Sequence, residues 1–421
     1  MLRENANGAI GYRYCFCLKY GSRNLLIELG ANMDNNSKKI KVLHLIPSLT
    51  GGGAERQIQM VIPLLDQQGF ENHVLYLYGD ECRNTLGLPA QQLHFIPVSN
   101  NYSPRILIGI IRVIHKIQPD LIHSWIRQMD ILAGLLSTFY HIPWVLREPS
   151  CASDRYKHWK YWLRARLAAK TTAIMANSLG GRNYWHSIYP DKEIQIIPNI
   201  LDKDAILKTP PADRMESGLN EKNKIILYAG RLDKGKNLKF LIESLGAVLK
   251  DDPSLIFLIC GQGSEFQALN NTVEAAGIAA QVQFCGTVSR EKLWSMMKIA
   301  DIFAFLSLSE GQPNAVLEAA ACGLPLLLSD IPAHRDIFDE TSAKFVPTDN
   351  MDAVIKSITG MLHSDNSIQV ANAHRILDSF DSNQIIMKYR IFYNKAIQLG
   401  RKFGYCIVLP VIQLSEISDF L

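Results

Sequence analysis

Nowhere in its 421 residues does the sequence hold an apolar run near the ~20 residues that a membrane-spanning helix needs; the nearest, YCIVLPVIQL at 405–414, is short and carries Pro410. No apolar core followed by a small-residue cleavage site opens the chain, so no signal peptide is read. Net charge is also scarce. A formal charge of +4 gives no case for nucleic acid as a partner. The 11 histidines are scattered, without an H-x-x-x-H pair or a Cys/His cluster of ligand spacing, so no metal is expected. The one D-x-D, Asp202 to Asp204, falls in the expected linker and is discounted. Of 8 cysteines only Cys15 and Cys17 lie close together, and Cys260 and Cys285 sit inside apolar runs as small hydrophobes. That usage reads as a reducing compartment, the cytoplasm. No glycine loop ends in Gly-Lys-Ser/Thr, and no G-x-S-x-G occurs, which excludes a P-loop kinase or ATPase and an acyl hydrolase of the elbow type. CGQGSE (260–265) lacks the third glycine of a dinucleotide fingerprint and follows the second strand of its half; it reads as a tight turn.

What is present is a long series of short apolar runs. In the first half they fall at 41–49, 72–78, 92–98, 120–125, 143–148, 172–178 and 194–199. In the second half they fall at 225–230, 255–260, 282–286, 301–307, 324–329 and 343–347. Continuous apolar runs of this length fit strands buried on both faces, as in a parallel sheet. Helices between them, for example around 54–68 and 105–117, supply the crossovers. The polar stretch 201–224, with Pro210 and Pro211, is the linker candidate. The expected fold class is α/β, with two doubly wound Rossmann-like domains facing each other across a cleft. The expected division is an extension at 1–38, a first domain at 39–215, a second at 216–395 and a tail at 396–421. Extension and tail are unassigned, and Met33 is a candidate start.

Ligands bind at the carboxyl ends of strands in such sheets, and the motifs fall there. TGGGAE (50–55) follows the first strand; its glycines let backbone amides approach an anion where a helix begins. GRLDKGKN (230–237) follows the first strand of the second half, and Arg231 and Lys236 there suit a diphosphate as well as they suit a solvated loop. In SEGQPNAVLEAAACG (309–323), Pro313 is placed for a helix start and Gly323 for its end. Glu310 precedes that helix and Glu318 lies more than a turn inside it, on the order of 10 Å away. That separation is long for a paired acid and base and fits a ligand with several groups. Leu317 and Ala319 to Ala321 read as buried, which argues against an ordinary exposed glutamate at 318. RYKHWKYWLRARLAAK (155–170) is basic and aromatic, and reads equally as a surface helix or as a contact with an anionic membrane.

These residues together resemble the large retaining glycosyltransferase family known as group 1, whose members use nucleotide-sugar donors and adopt the GT-B fold. The carriers are GGGAE at 51–55, GRL with Lys236 and Asn237, GQGSE at 261–265, the stretch 300–330, and the Glu310-to-Glu318 spacing. The resemblance spans roughly 40–395. It implies that Arg231 and Lys236 grip the donor diphosphate and that Glu318 accepts from the ribose hydroxyls. Glu310 and the backbone amides around Gln312 to Ala315, with Pro313 and Asn314 at the helix start, would hold the sugar and distal phosphate. Gly52 and Gly53 would close over the phosphates, and Thr287 and Val288 would face the base. Glu310, Arg231 and Lys236 are the implied catalytic set. The family's H-x-H is here HSW, so His123 reads as a core residue; Trp125, Arg127, Arg147 and Glu148 are the candidates for the sugar or acceptor side.

The implied activity is transfer of a hexosyl or N-acetylhexosaminyl group, with retention, from a nucleotide-diphosphate sugar, UDP ahead of GDP. The implied acceptor is a saccharide, free or lipid-linked, in glycan or polysaccharide synthesis, with no cofactor. The location is cytoplasmic, with the inner membrane face as a variant. Two alternatives stand beside it: a nucleotide-sugar epimerase on the same fold, and a non-catalytic transferase-like binding subunit.

Overall fold

The computed structural model describes residues 39–150, 159–215 and 218–402. The extension 1–38, most of the tail and residues 155–158 of the basic aromatic stretch lie outside the described residues. The first sheet is built from Ile40–Leu45 (β1), Phe70–Tyr76 (β2), Leu93–Phe95 (β3), Leu121–Ser124 (β4), Trp144–Glu148 (β5), Ala173–Ala176 (β6) and Ile194–Ile196 (β7). Its helices are Gly53–Asp66 (α1), Pro104–Ile117 (α2), Arg127–Tyr140 (α3), Trp159–Ala168 (α4) and Leu179–Ile188 (α5). Lys203–Lys208 (α6) begins the passage to the second half. The second sheet is built from Lys224–Ala229 (β8), Leu255–Cys260 (β9), Val282–Gly286 (β10), Ile302–Phe305 (β11), Leu326–Ser329 (β12) and Lys344–Val346 (β13). Leu238–Asp251 (α7), Phe266–Ala275 (α8), Arg290–Met297 (α9), Asn314–Ala321 (α10), Pro332–Arg335 (α11), Met351–His363 (α12), Ser367–Ile376 (α13) and Ser382–Lys402 (α14) follow.

Both sheets are parallel and doubly wound, as the apolar runs predict. The orders are β3-β2-β1-β4-β5-β6-β7 and β10-β9-β8-β11-β12-β13. Each order reverses beside its first strand, between β1 and β4 and between β8 and β11, which opens a crevice at the strands' carboxyl ends. Burial on both faces explains the unbroken apolar character: every residue of β9, LIFLIC, is inside. Helix α2 starts with Ser103 before Pro104 and buries Ile106, Ile110, Val113, Ile114 and Ile117 along one stripe.

One face of the first sheet packs α2 and α3. The other shares a continuous core with the second sheet, and α14 belongs to that core. After the second sheet is complete, α14 returns to the first. Tyr393 Oη lies 2.6 Å from His123 Nδ1, Tyr389 Oη accepts from Arg147, and Lys395 pairs with Glu193 at 2.7 Å. Next to His123, whose ring is wholly buried, His44 accepts from Trp125 Nε1 at 3.2 Å. An indole N–H only donates, so His44 Nδ1 is bare and its Nε2 carries the proton toward Asn72 Oδ1 at 3.1 Å. Both rings are therefore held neutral. Burial pushes the pKa of His44 down to about 3 and that of His123 well below its usual value.

This pair makes stability depend on pH with a definite sign. The folded pKa values lie below the unfolded value of about 6.5, so the unfolded chain takes up protons first as pH falls. The contribution is fully present above about pH 6.5 and is lost as the pH drops toward the folded values, by about 1.4 kcal/mol per pH unit for each ring. Urea midpoints should thus fall between pH 7 and pH 5, and His123→Gln should flatten that slope.

Candidate functional site

The loops after β8, β9 and β10 interlock at the carboxyl end of the second sheet. Gly230 N donates to Cys260 O at 3.0 Å, Gly261 N to Gly286 O at 2.7 Å and Leu232 N to Gln262 O at 2.9 Å. Glycine is required here: a Cβ at Gly261, whose φ is +144°, would sit 1.9 Å from Gly230 O, and one at Gly263 would sit 2.2 Å from Leu232 O. GQGSE is thus a packed turn leading into α8. The 3-10 turn Lys234–Lys236 is tied to the loop after β11 by Leu308 N donating to Gly235 O at 2.9 Å. That contact brings Lys236 Nζ to 2.5 Å from Glu310 Oε1, with Nζ 5.3 Å from the centre of the Phe305 ring. Arg231 is placed differently. Its side chain is 73% exposed and pairs with Asp233 at 3.3 Å.

Helix α10 starts after Pro313, and Gly323 follows its end with φ +81°. Val316 to Ala321 are all buried, Glu318 among them at 3% exposure. Burial pushes the Glu318 carboxyl up, and the Arg56 guanidinium opposes that shift. Arg56 comes from α1 on the first sheet, and its Nη1 donates to Glu318 Oε1. The two sheets meet around this helix start. Gln312 Oε1 accepts from Asn199 N at 2.7 Å, and Asn199 Nδ2 donates to Asn314 Oδ1 at 3.0 Å. A Cβ on Gly53 would lie 3.3 Å from Asn314 Nδ2, so the glycine loop of the first sheet reaches the start of α10. Glu55 caps that loop, its Oε2 accepting from Gly52 N at 3.1 Å. Ala315, in the first turn of α10, is half-buried. After β10, Thr287 is exposed and Val288 half-buried against the core.

The candidates for the sugar or acceptor side separate sharply. Trp125, Arg147 and Glu148 are buried with internal partners, which corrects their reading as strand-end contacts for a ligand. Trp125 serves His44. Arg147 Nη2 donates to Asn199 Oδ1 at 2.6 Å and its Nη1 to Tyr389. Glu148 accepts from Ser150 Oγ and Arg164 Nη1, each at 2.6 Å, and from Trp185 Nε1 at 3.0 Å. Arg164 also reaches Asp130 at 2.6 Å, so this residue of the basic aromatic stretch serves the interior and cannot face a membrane. Gln312, expected on the donor, spends its amide on the Asn199 backbone. Arg127 is half-buried at the start of α3, its guanidinium 4.4 Å from the Tyr161 ring centre.

Four residues that the motifs did not point to stand at this site. Arg56 and Trp294 flank Glu318 and both act on its carboxylate, and the Arg56 Nε atom is buried without a hydrogen-bond partner. Asn199 links the sheets. His334 Nδ1 lies 2.9 Å from Ser329 O, so it donates and leaves Nε2 a buried bare acceptor. The one signal for Arg56 was its place directly after GGGAE. Among the described residues no group of three or more His, Cys, Asp or Glu is placed to hold a metal ion.

The second half matches the family model described as glycosyl transferases group 1 over residues 211–375, and the first half matches glycosyltransferase family 4 over 51–205. The chain belongs to the group 1 glycosyltransferases. It is 26% identical over 343 residues to the N-acetylgalactosamine-N,N'-diacetylbacillosaminyl-diphospho-undecaprenol 4-alpha-N-acetylgalactosaminyltransferase of Campylobacter jejuni, covering 76% of this chain and 89% of the relative. It is 23% identical over 351 residues to the UDP-Gal:alpha-D-GlcNAc-diphosphoundecaprenol alpha-1,3-galactosyltransferase of Escherichia coli, covering 77% and 89%. Among solved structures, Anabaena HepE in complex with UDP and glucose superimposes with a TM-score of 0.72 at 16% identity, covering 84% of this chain and 99% of that one. WaaG, a glycosyltransferase of lipopolysaccharide biosynthesis, does so with a TM-score of 0.64 at 15% identity, covering 83% and 98%. The fold of this glycosyltransferase is GT-B.

The two lobes also come close at Gly311, where a Cβ would lie 2.5 Å from Pro149 O and 3.0 Å from Ser150 Cα. Gly311→Ala should push the sheets apart at the head of α10. The expected result is a loss of turnover on the order of tenfold or more, as for a small displacement of a positioned site, with circular dichroism unchanged.

Proposed function

We propose that this glycosyltransferase takes a nucleotide-diphosphate sugar as donor and transfers the sugar, with retention of the anomeric configuration, to a lipid-linked saccharide. The observation that carries the proposal is the arrangement around α10. The Lys236–Glu310 pair stands before its start and the buried carboxylate of Glu318 stands one turn in. Between them the amides of Asn314 and Ala315 open the helix. A diphosphate resting on that start would meet Lys236 on one side, with Arg231 free to swing in from solvent. Breaking the sugar–phosphate bond builds charge on the leaving diphosphate, and a cation and helix amides already aimed there favour the transition state over the ground state. Glu318 would then hold the ribose hydroxyls, Glu310 the sugar, and Thr287 and Val288 the base. On the first sheet, Gly52 and Gly53 would cover the phosphates and Arg127 is the remaining candidate for the acceptor. The relatives support a lipid diphosphate acceptor through their own named substrates. UDP is favoured by the neighbours solved with it, while a Xanthomonas relative named for GDP-mannose keeps GDP in the comparison.

A thermal-shift series with UDP-, GDP- and ADP-sugars tests the donor. One of them should raise Tm in the parent, and Glu318→Ala should abolish that shift. Proton NMR of the fresh product would show the donor's anomeric configuration if transfer is retaining; an inverted product overturns that part.

The exposed side of α4 is proposed as a peripheral contact with an anionic membrane. Trp162 is 61% exposed, and Arg166 lies 5.2 Å from its ring centre. Trp162→Ala with Arg166→Glu should cut sedimentation with phosphatidylglycerol vesicles severalfold; undiminished binding removes the membrane from the proposal.

A further inference from the structure

We infer that Arg56, a residue of the first sheet's lobe, is a positioning residue for the donor's ribose, acting across the cleft through Glu318. The inference rests on the reading of Glu318 as the ribose acceptor and adds what keeps it competent. Two vicinal hydroxyls are donors, and an ionised carboxylate, with about four lone-pair sites, can take both. A protonated carboxyl gives up part of that capacity and becomes a donor itself. Glu318 is buried on an apolar helix, which favours the protonated form, and Arg56, with a smaller part from the Trp294 indole, offsets it.

The geometry assigns Arg56 this work. Its Nη1 engages Oε1 of Glu318. The side chains of both residues are largely enclosed, at 12% and 4% exposure, so the contact is not a solvated ion pair. Around the same carboxylate lie Trp294 of α9, whose indole N–H also favours the ionised form, and Cys322 at the end of α10. Lys298, at the end of α9, acts on the Cys322 thiol. Arg56 is the cation that acts on Glu318. It is anchored one turn into α1, where the next residue, Gln57, holds the Ile200 backbone through both ends of its amide at 2.9 and 2.7 Å. Because Arg56 and Glu318 belong to different lobes, Arg56 favours the ionised carboxylate and aims it only where the lobes meet. Ribose recognition is thereby linked to closure.

The test measures UDP and GDP affinity by calorimetry from pH 5 to 8 for the parent and for Arg56→Ala, Arg56→Lys, Glu318→Gln and the Arg56→Ala/Glu318→Gln pair. Donor KM and kcat are measured for each. Arg56→Ala should weaken nucleotide binding on the order of tenfold, with the loss in KM rather than kcat. The acid limb of its binding profile should move up by about one pH unit or more. Arg56→Lys should restore part of both. In the Glu318→Gln background the Arg56→Ala effect should vanish. If Arg56→Ala does not fold, Arg56→Lys carries the test, with a smaller shift of the same sign. Unchanged or tighter binding with an unmoved acid limb overturns the role of Arg56 while Glu318→Gln still weakens binding. If Glu318→Gln binds like the parent, the reading of Glu318 falls instead.

Discussion

Two consecutive peptide groups, at Asn199 and Ile200, are gripped from opposite sides by glutamine amides. Gln57 of α1 holds Ile200, and Gln312, just ahead of α10, holds Asn199. Each amide reproduces the donor and acceptor of a strand neighbour, so the connecting backbone is satisfied although it belongs to neither sheet. Everything placed between the lobes depends on this. Arg147 reaches Asn199 from below, Asn199 reaches Asn314, and Gly311 and Arg56 can then meet their partners across the cleft. Without a fixed connection, Glu318 would be a buried carboxylate with no cation, which is a costly arrangement.

Much of the fold was legible because parallel strands buried on both faces leave unbroken apolar runs, and each run read from the sequence holds a strand. The helix between Pro313 and Gly323 was legible for a different reason: its start and stop residues are local signals. The Lys236–Glu310 meeting follows once both motifs are placed at strand ends. The contacts between lobes were not legible, since nothing local marks partners such as Arg56 and Glu318, which are 262 positions apart.

The misplaced residues share one physical cause. Charged and indole groups at a strand's carboxyl end are read as facing a ligand because burial of such groups is costly. Here the cost is met internally. Arg164 satisfies Asp130 and Glu148 together, Arg147 is met by Asn199 and Tyr389, and the Trp125 indole by His44. The partners come from other elements, Arg164 of α4 for Glu148, His44 of β1 for Trp125 and Tyr389 of α14 for Arg147, so a single chain reading sees the unpaired half.

Helix α14 has one further consequence. The chain crosses from the first lobe to the second near Asn199–Lys203 and crosses back where α14 begins, with Lys203 paired to Asp378 at 2.8 Å beside both crossings. Two strands of polypeptide running side by side behave like the two screws of a door hinge rather than a single swivel. They suppress twisting of one lobe against the other and leave one easy rotation, about the line through both crossings. The glycine loop and the head of α10 belong to different lobes and meet at Gly53 and Asn314, so a rotation of one lobe against the other is felt at that contact.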